Sequence, residues 1–105
     1  MEKDIKTIRK SDLAIKVATK VGIHIFDVQK IIDCFTEFIN EALLDGHRIE
    51  IRNFGVFEVK VRKSRKGRNP NKPQDEVIIP ERAVVKFRAG KELKEEVEKL
   101  NTKKI

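Results

Sequence analysis

Residues 56–70 read VFEVKVRKSRKGRNP, and this stretch decides the fold because it joins two different kinds of chain. Its first six residues alternate in the manner of a β-strand that packs one face against a core. The next nine residues, 62–70, carry five cationic side chains and end at a proline. The stretch therefore predicts a strand that continues beyond its own core into a cluster of positive charge.

The chain from about residue 61 to residue 80, which we call the arm, has few apolar side chains. It cannot bury enough surface to fold against the core of its own domain. As a two-stranded ribbon that rises about 3.3 Å per residue, it would project roughly 25–30 Å. Gly67 and the pair Asn69-Pro70 predict the turn at its tip. Because an isolated ribbon is only marginally ordered in water, we expect the arm to be mobile until it binds a partner.

Positive charge is concentrated at the start of the arm. Residues 60–72 hold seven cations and no acid, and the whole chain also has a net charge of +7, so the rest of the chain is neutral overall. This basicity indicates a polyanionic partner, most often nucleic acid and less often an anionic membrane surface. A solvated loop and a localisation signal are the simpler alternatives. The alternation that continues into the cluster, and the rigid Pro70 at its exposed end, favour a nucleic-acid-binding arm.

Helical spacing of apolar residues flanks this region on both sides. It predicts helices over residues 11–21 and 25–45, ended by Gly22 and Gly46, and a short helix after Gly90. From Arg48 the period changes to two, with a turn over residues 53–55. The order predicts an α+β domain with two N-terminal helices and one C-terminal helix as its base. A three-stranded antiparallel sheet is expected to extend into the arm.

The second helix carries an apolar stripe wider than a small sheet and one short helix require. Most of the stripe is ordinary core. Without the arm, only about 85 residues remain to build that core, and a domain of that size is marginally stable. We therefore expect a dimer rather than a monomer. The outer face of the helix should lie away from a polyanion, since it is acidic: Asp27, Asp33, Glu37, Glu41 and Asp45.

Several other functions lack support. Cys34 is the only cysteine, which excludes an intrachain disulfide and fits a reducing cytosol. No apolar run approaches the length of a membrane span. We expect residues 1–10 to be a mobile extension and residues 11–105 to form the domain. Residues 1–10 lack the apolar region of a secretion signal. His24 and His47 have no partners at metal-ligand spacing, and no nucleophile–base pair is found. We expect a cytoplasmic protein that is not an enzyme and has no cofactor or metal.

The motifs RNFGVFEVKVRKSRKGRNP (52–70), FRAGKELKEEV (87–97) and SDLAIKVATKVGI (11–23) resemble the bacterial HU and integration host factor family of DNA-bending proteins. The resemblance covers about residues 9–101. It implies an intertwined dimer whose two arms hold DNA in the minor groove, with Pro70 as a wedge between base pairs. This family is itself a standard example of such wedges. It also implies an aromatic core at Phe54, Phe57 and Phe87.

The chain departs from the family pattern at four places. Asn53 replaces a usual glycine, and Ala89 replaces a usual proline. The arm tip NPNKPQD has Pro73 and one additional residue where a short turn is common. The N-terminal extension has no counterpart in the family.

We expect an architectural dimer that binds double-stranded DNA with little sequence preference and bends it, as in nucleoid organisation. A homodimer is expected, and a heterodimer stays open. One alternative is a sequence-preferring subunit like those of integration host factor, and another is a binder of structured RNA.

Lys91 and Lys94 follow Gly90 at the start of a helix, where backbone N–H groups can bind an anion. Surface lysines without a role would fit that spacing equally well. The family resemblance implies that Lys91, Lys94 and Lys10 contact phosphate. The expected DNA-binding residues are Lys10, Arg62, Lys63, Arg65, Lys66, Arg68, Asn69, Pro70, Lys72, Arg88, Lys91 and Lys94.

Overall fold

The computed structural model describes residues 4–100, so expectations about residues 1–3 and 101–105 lie outside the described residues. The described elements confirm the α+β class and the order of helices and strands. The helices are α1 (Lys10–Val21), α2 (Ile25–Leu44) and α3 (Lys91–Glu98). The strands are β1 (Ile49–Ile51), β2 (Gly55–Arg62), β3 (Arg65–Asn69), β4 (Lys72–Ile79) and β5 (Arg82–Ala89).

Local hydrogen bonds explain where the first two helices begin. Helix α1 begins at Lys10, one residue earlier than predicted, because the Asp12 carboxylate accepts a hydrogen bond of 2.9 Å from the backbone N–H of Arg9. A carboxylate at this position satisfies one of the free donors of a helix start. At the start of α2, Nδ1 of His24 accepts a hydrogen bond of 3.2 Å from the N–H of Phe26. His24 is therefore a helix cap.

The five strands form two separate antiparallel sheets. The body sheet has the order β1-β2-β5, and β3 pairs with β4 in the arm. The body ladder ends at the pair Arg62 and Arg82, and the arm ladder begins at the pair Arg65 and Ile79. The predicted extension of the sheet into an arm is thus confirmed, with an interruption of the ladder where the arm leaves the body.

The turn between β1 and β2 explains the asparagine at position 53. Asn53 has a φ of 67°, in the left-handed region that few side chains tolerate. Asparagine is one of the residues that adopt this conformation most readily, so it can replace glycine here. The turn closes with a hydrogen bond of 3.0 Å from the N–H of Phe54 to the carbonyl of Ile51.

Gly55, directly after this turn, is a position where a side chain does not fit. It pairs with Ala89, and a Cβ at residue 55 would lie 2.6 Å from the carbonyl oxygen of Arg88 and 2.6 Å from the ring of Phe87. Because one of these neighbours is backbone, the strand itself would have to move. We expect Gly55→Ala to destabilise the protein by about 1–3 kcal/mol, the usual range for overpacking.

Urea unfolding followed by circular dichroism measures this effect. Gly67→Ala is the matched control, since it also adds a methyl group to a strand glycine. Its Cβ would come closest to the terminal methyl group of Ile79, at 2.9 Å, which can rotate away, and its other neighbours are side-chain atoms at 3.5 Å and 3.8 Å. Equal midpoints for Gly55→Ala and the wild type would show that the close approach at Gly55 is not a constraint.

The two faces of the body sheet differ in character because side chains alternate along each strand. On one face, the rings of Phe54, Phe57 and Phe87 form a cluster with centroid distances of 5.3 Å and 4.9 Å to Phe87. The family resemblance implied an aromatic core at these three residues, but in the single chain Phe54 and Phe87 are 44% and 42% exposed. The opposite face carries charged residues of β2 and β5.

The chain is extended. Its radius of gyration is 19.2 Å, whereas a compact domain of this length would have one of about 13 Å. Strand β3 makes its main contacts with β4 rather than with the body. The arm therefore stands away from the core, as its composition predicted.

Candidate nucleic-acid interface

The tip of the arm is a two-residue turn with Pro70 at its first corner. Asn69 pairs with Lys72, which leaves Pro70 and Asn71 between them. The N–H of Asn71 donates a hydrogen bond of 2.9 Å to the side-chain oxygen of Asn69. In the described part of the chain, Asn53 is the only non-glycine residue with a positive φ, so Asn71 does not form a type II turn. Pro70 is exposed at the end of the arm.

The additional length of the tip is absorbed by β4. Asn69 pairs with Lys72, but the preceding residue Arg68 pairs with Glu76. Residues 73–75 therefore stand outside the ladder opposite a single step of β3. The arm therefore carries an irregularity of the β-bulge kind directly beside the turn.

The prediction that Gly67 belongs to the turn was wrong. Gly67 lies within β3 and pairs with Val77. A Cβ at this position would be 2.9 Å from Cδ1 of Ile79, so the isoleucine side chain lies across the glycine. The glycine leaves room for this side chain, whose terminal methyl group can rotate away from a small residue at position 67.

The cations of β3 are accessible from solvent on the arm. Side chains alternate along the strand, so Lys66 and Arg68 lie on the opposite face from Arg65. Nζ of Lys66 is 3.9 Å from a carboxylate oxygen of Glu76, and its side chain remains 78% exposed. An exposed pair at this distance holds the lysine weakly, so Lys66 can exchange Glu76 for another anion.

Five cations share one face of the body sheet, which we call the basic sheet face: Lys60, Arg62, Arg82, Lys86 and Arg88. The pairs Glu58–Lys86 and Lys60–Val84 are in register, as are Val56–Arg88 and Arg62–Arg82. The carboxylate of Glu58, whose side chain is only 14% exposed, lies 3.6 Å from Lys60 and 3.7 Å from Arg88. Glu58 thereby pairs with two cations of this face, whose side chains remain 54% and 57% exposed.

Sequence reasoning named Arg62 and Arg88 but missed Arg82 and Lys86. The alternation within RAVVKFRA (82–89) places Arg82, Lys86 and Arg88 on one face. That pattern, combined with antiparallel pairing to β2, is the signal that would have found them.

The junction between body and arm also collects positive charge. We call Arg62, Lys63, Arg65 and Arg82 the arm root. These four residues, with Val84 and Val85, line a cavity of about 420 Å³. Arg62 and Arg82 lie directly opposite each other in the final pair of the body ladder.

The remaining predicted residues lie elsewhere on the body. Lys10 forms an ion pair with Asp33 of α2, on the acidic side of that helix. Lys91 and Lys94 are exposed in the first turn of α3, where Gly90 is the N-cap and Glu92 already supplies a negative charge. The structure therefore brings the arm-root and sheet cations together, and it places Lys10 on α1 and both Lys91 and Lys94 on α3.

Two further features of the described chain concern other classes of function. Between residues 4 and 100, no helix is both long and apolar enough to cross a membrane. Over the same residues, no three His, Cys, Asp or Glu side chains are grouped as metal ligands would be. Cys34 is exposed on α2 beside Phe35 and Phe38.

A comparison of the sequence with protein families gives a match over residues 8–98 to the family described as bacterial DNA-binding protein. The chain is 46% identical over 88 residues to the DNA-binding protein HU of Thermotoga maritima, covering 84% of this chain and 97% of that protein. It is 43% identical over 94 residues to an integration host factor subunit beta of Cupriavidus metallidurans, covering 89% of this chain and 69% of that protein.

Solved structures show the same fold. The HU protein in an Anabaena HU–DNA cocrystal structure superposes with a TM-score of 0.80 at 32% identity, covering 89% of this chain and all of that one (100%). HU from Thermotoga maritima gives a TM-score of 0.61 at 34% identity, covering 86% of this chain and 98% of that chain.

Proposed function

The chain belongs to the bacterial DNA-binding protein family, and from that premise we propose that it is an architectural protein that binds duplex DNA as a dimer and bends it. It is a DNA-binding protein rather than an enzyme. The observation that carries the proposal is the arm, a ribbon with exposed cations along β3 and Pro70 at its end. A protein of this kind would associate with the nucleoid.

Phosphate contacts would supply most of the affinity. Cations of the arm and the basic sheet face would displace the counterions condensed on DNA, a driving force that is independent of sequence. Arginines on a two-stranded ribbon would respond to the width and potential of the minor groove rather than to base identity. This accounts for binding with little sequence preference.

A dimer is supported by the apolar surface that one chain leaves uncovered. In the described part of the chain, Ala14 and Val28 are the only fully buried apolar residues. Phe26, Phe35 and Phe38 of α2 are 67%, 55% and 63% exposed. Burying one such side chain contributes about 1.5–3 kcal/mol. A second subunit that covers this surface would supply the missing core and a second arm.

Pro70 is placed to act as the bending element. It is exposed, rigid and apolar at the end of a positively charged ribbon. Inserting such a residue between base pairs costs a few kcal/mol of unstacking, which is repaid by additional contacts along bent DNA. The cations would thus hold the ribbon in the groove, and Pro70 would press into the stack.

Pro70→Ala is expected to reduce the bend while most of the affinity remains. Alanine keeps the backbone contacts of the arm but offers a smaller and less rigid wedge. Fluorescence energy transfer between the two ends of a short duplex measures the bend. On nicked DNA, where much of the deformation is already present, the variant should approach the wild type.

Gln74→Ala is the control, because Gln74 is an exposed, uncharged residue of β4 on the same arm. It should bend intact duplex as the wild type does. If Pro70→Ala bends intact duplex as strongly as the wild type does, Pro70 only forms the turn. Another residue would then have to cause the kink.

A second candidate is a sequence-preferring subunit of a heterodimer. The observation that favours it is the 43% identity to a protein named integration host factor subunit beta. Affinities for several unrelated duplexes of equal length decide between the two. We expect them to agree within a few fold for the purified single chain, whereas a heterodimeric subunit would need a partner chain to bind tightly.

A further inference from the structure

The arm leaves a large apolar side chain in water. Ile78 of β4 is 75% exposed, and β4 makes its main contacts with β3 rather than with the body. On the opposite face of the arm, the side chains of Val77 and Ile79 lie over Gly67. Ile78 takes no part in that cluster, because successive side chains along a strand point to opposite faces.

Two of the predicted DNA-binding cations share the face of Ile78. Ile78 pairs with Lys66 across the arm, and the next pair on this face is Arg68 with Glu76. Direct and diagonal cross-strand neighbours on one face are within reach of each other. The Lys66 side chain is 78% exposed, and Arg68 is exposed as well. A nucleic-acid strand whose phosphates are held by Lys66 and Arg68 would therefore run past Ile78.

The part of such a strand that meets Ile78 is the sugar, because a sugar joins each phosphate to the next. Isoleucine offers no hydrogen-bond donor or acceptor. Its side chain can pack against the C2′ methylene group of deoxyribose. The 2′-hydroxyl of ribose would lose its water at the same contact without gaining a hydrogen bond, which is unfavourable.

We propose that Ile78 is a specificity-determining residue that selects deoxyribose over ribose. The inference rests on the proposed function, because it requires the arm to lie along a duplex. It is separate from groove shape, in which an RNA duplex also differs from DNA. Ile78 responds to the hydroxyl group itself.

Fluorescence anisotropy of the purified full chain with three labelled duplexes of one sequence separates these two effects. The duplexes are DNA, RNA, and RNA with 2′-fluoro sugars, which keeps the A-form helix but has no 2′-hydroxyl. We expect the wild type to bind the 2′-fluoro duplex more tightly than RNA. Equal affinities for these two duplexes would assign the whole preference to groove shape and would overturn the proposal.

Ile78→Thr and Ile78→Val are a matched pair of variants. Both keep a β-branched residue in the strand, and they differ by a hydroxyl in place of a methyl group. We expect the ratio of DNA affinity to RNA affinity to be about tenfold lower for Ile78→Thr, because threonine can hydrogen-bond to the 2′-hydroxyl. An enclosed apolar pocket discriminates against an added hydroxyl by about a hundredfold, and this contact is more open.

Val77→Thr makes the same chemical change on the opposite face of the same strand. Its ratio of DNA affinity to RNA affinity should equal that of the wild type. A general weakening of the arm would lower both affinities and leave the ratio unchanged. If Val77→Thr and Ile78→Thr change the ratio equally, the selection does not belong to the face of Ile78 and the proposal fails.

The same measurements distinguish failure of this proposal from failure of the proposed function. Tight binding of DNA by the wild type, with equal ratios for Ile78→Thr and Ile78→Val, would overturn the role of Ile78 and leave the proposed function intact. A wild type that binds none of the duplexes would overturn the proposed function, and the role of Ile78 with it.

Discussion

Phe38→Glu is expected to unfold the protein. In a single chain, the Phe38 side chain is 63% exposed, so a charge there would be solvated and would cost little. In the proposed dimer the same position is covered by the second subunit. A buried charge without a partner costs about 3–5 kcal/mol, against a total stability of about 5–15 kcal/mol for a small protein. The size of the effect therefore reports directly on whether the α2 surface is an interface.

Circular dichroism and sedimentation velocity at micromolar concentration measure the outcome. Gln29→Glu is the matched control, because it adds the same charge to an exposed residue of the same helix. It should remain a folded dimer. A wild-type protein that sediments as a well-folded monomer would contradict the dimer, and so would a Phe38→Glu variant as stable as the control.

The second large effect concerns salt. If a dimer neutralises six to ten phosphates, its affinity for duplex DNA should fall by about 10³ to 10⁵ between 50 and 200 mM salt. Replacing both Arg65 and Lys66 with alanine should flatten the slope of log K against log salt. Each lost phosphate contact lowers that slope by about 0.9, and the reduction should be the same for every duplex sequence.

Fluorescence anisotropy at several salt concentrations gives this slope. The control replaces Lys16 and Lys20 of α1 with alanine, which removes the same charge from a helix outside the arm and the basic sheet face. Its slope should match that of the wild type. Affinity that does not respond to salt would contradict a phosphate-dominated interface, as would a loss confined to one sequence.

The elements that the sequence predicted correctly are those whose pattern is local. Apolar residues at helical spacing located α1 and α2 to within a residue or two, and the alternation in residues 56–61 located β2. The arm followed from composition, because a segment with so few apolar side chains cannot join the core. These properties depend on neighbours in sequence, which a single chain displays.

Features that depend on register could not be predicted in this way. Gly67 was assigned to the turn because glycine favours turns, but its position is set by Ile79, which comes from the opposite strand. Arg82 becomes significant only because it lies opposite Arg62. The interruption between the two ladders likewise follows from pairing between distant segments.

In the candidate interface, too, the features with a local sequence pattern were predicted, and those that depend on strand pairing were not. The density of positive charge between residues 60 and 72 indicated the arm without any structure. The basic sheet face required the pairing of β2 with β5, since its cations come from two strands separated by the whole arm.

The central claim is that this protein binds duplex DNA and bends it. The most direct test is a competition for the purified wild-type protein among linear duplex, nicked or pre-bent duplex, and double-stranded RNA of equal length, at two salt concentrations. We predict preference for nicked or pre-bent DNA over linear duplex, because part of the deformation is already present, and weaker binding to RNA, whose minor groove is wide and shallow. Equal affinity for linear and pre-bent DNA, or tighter binding to RNA, would contradict the claim.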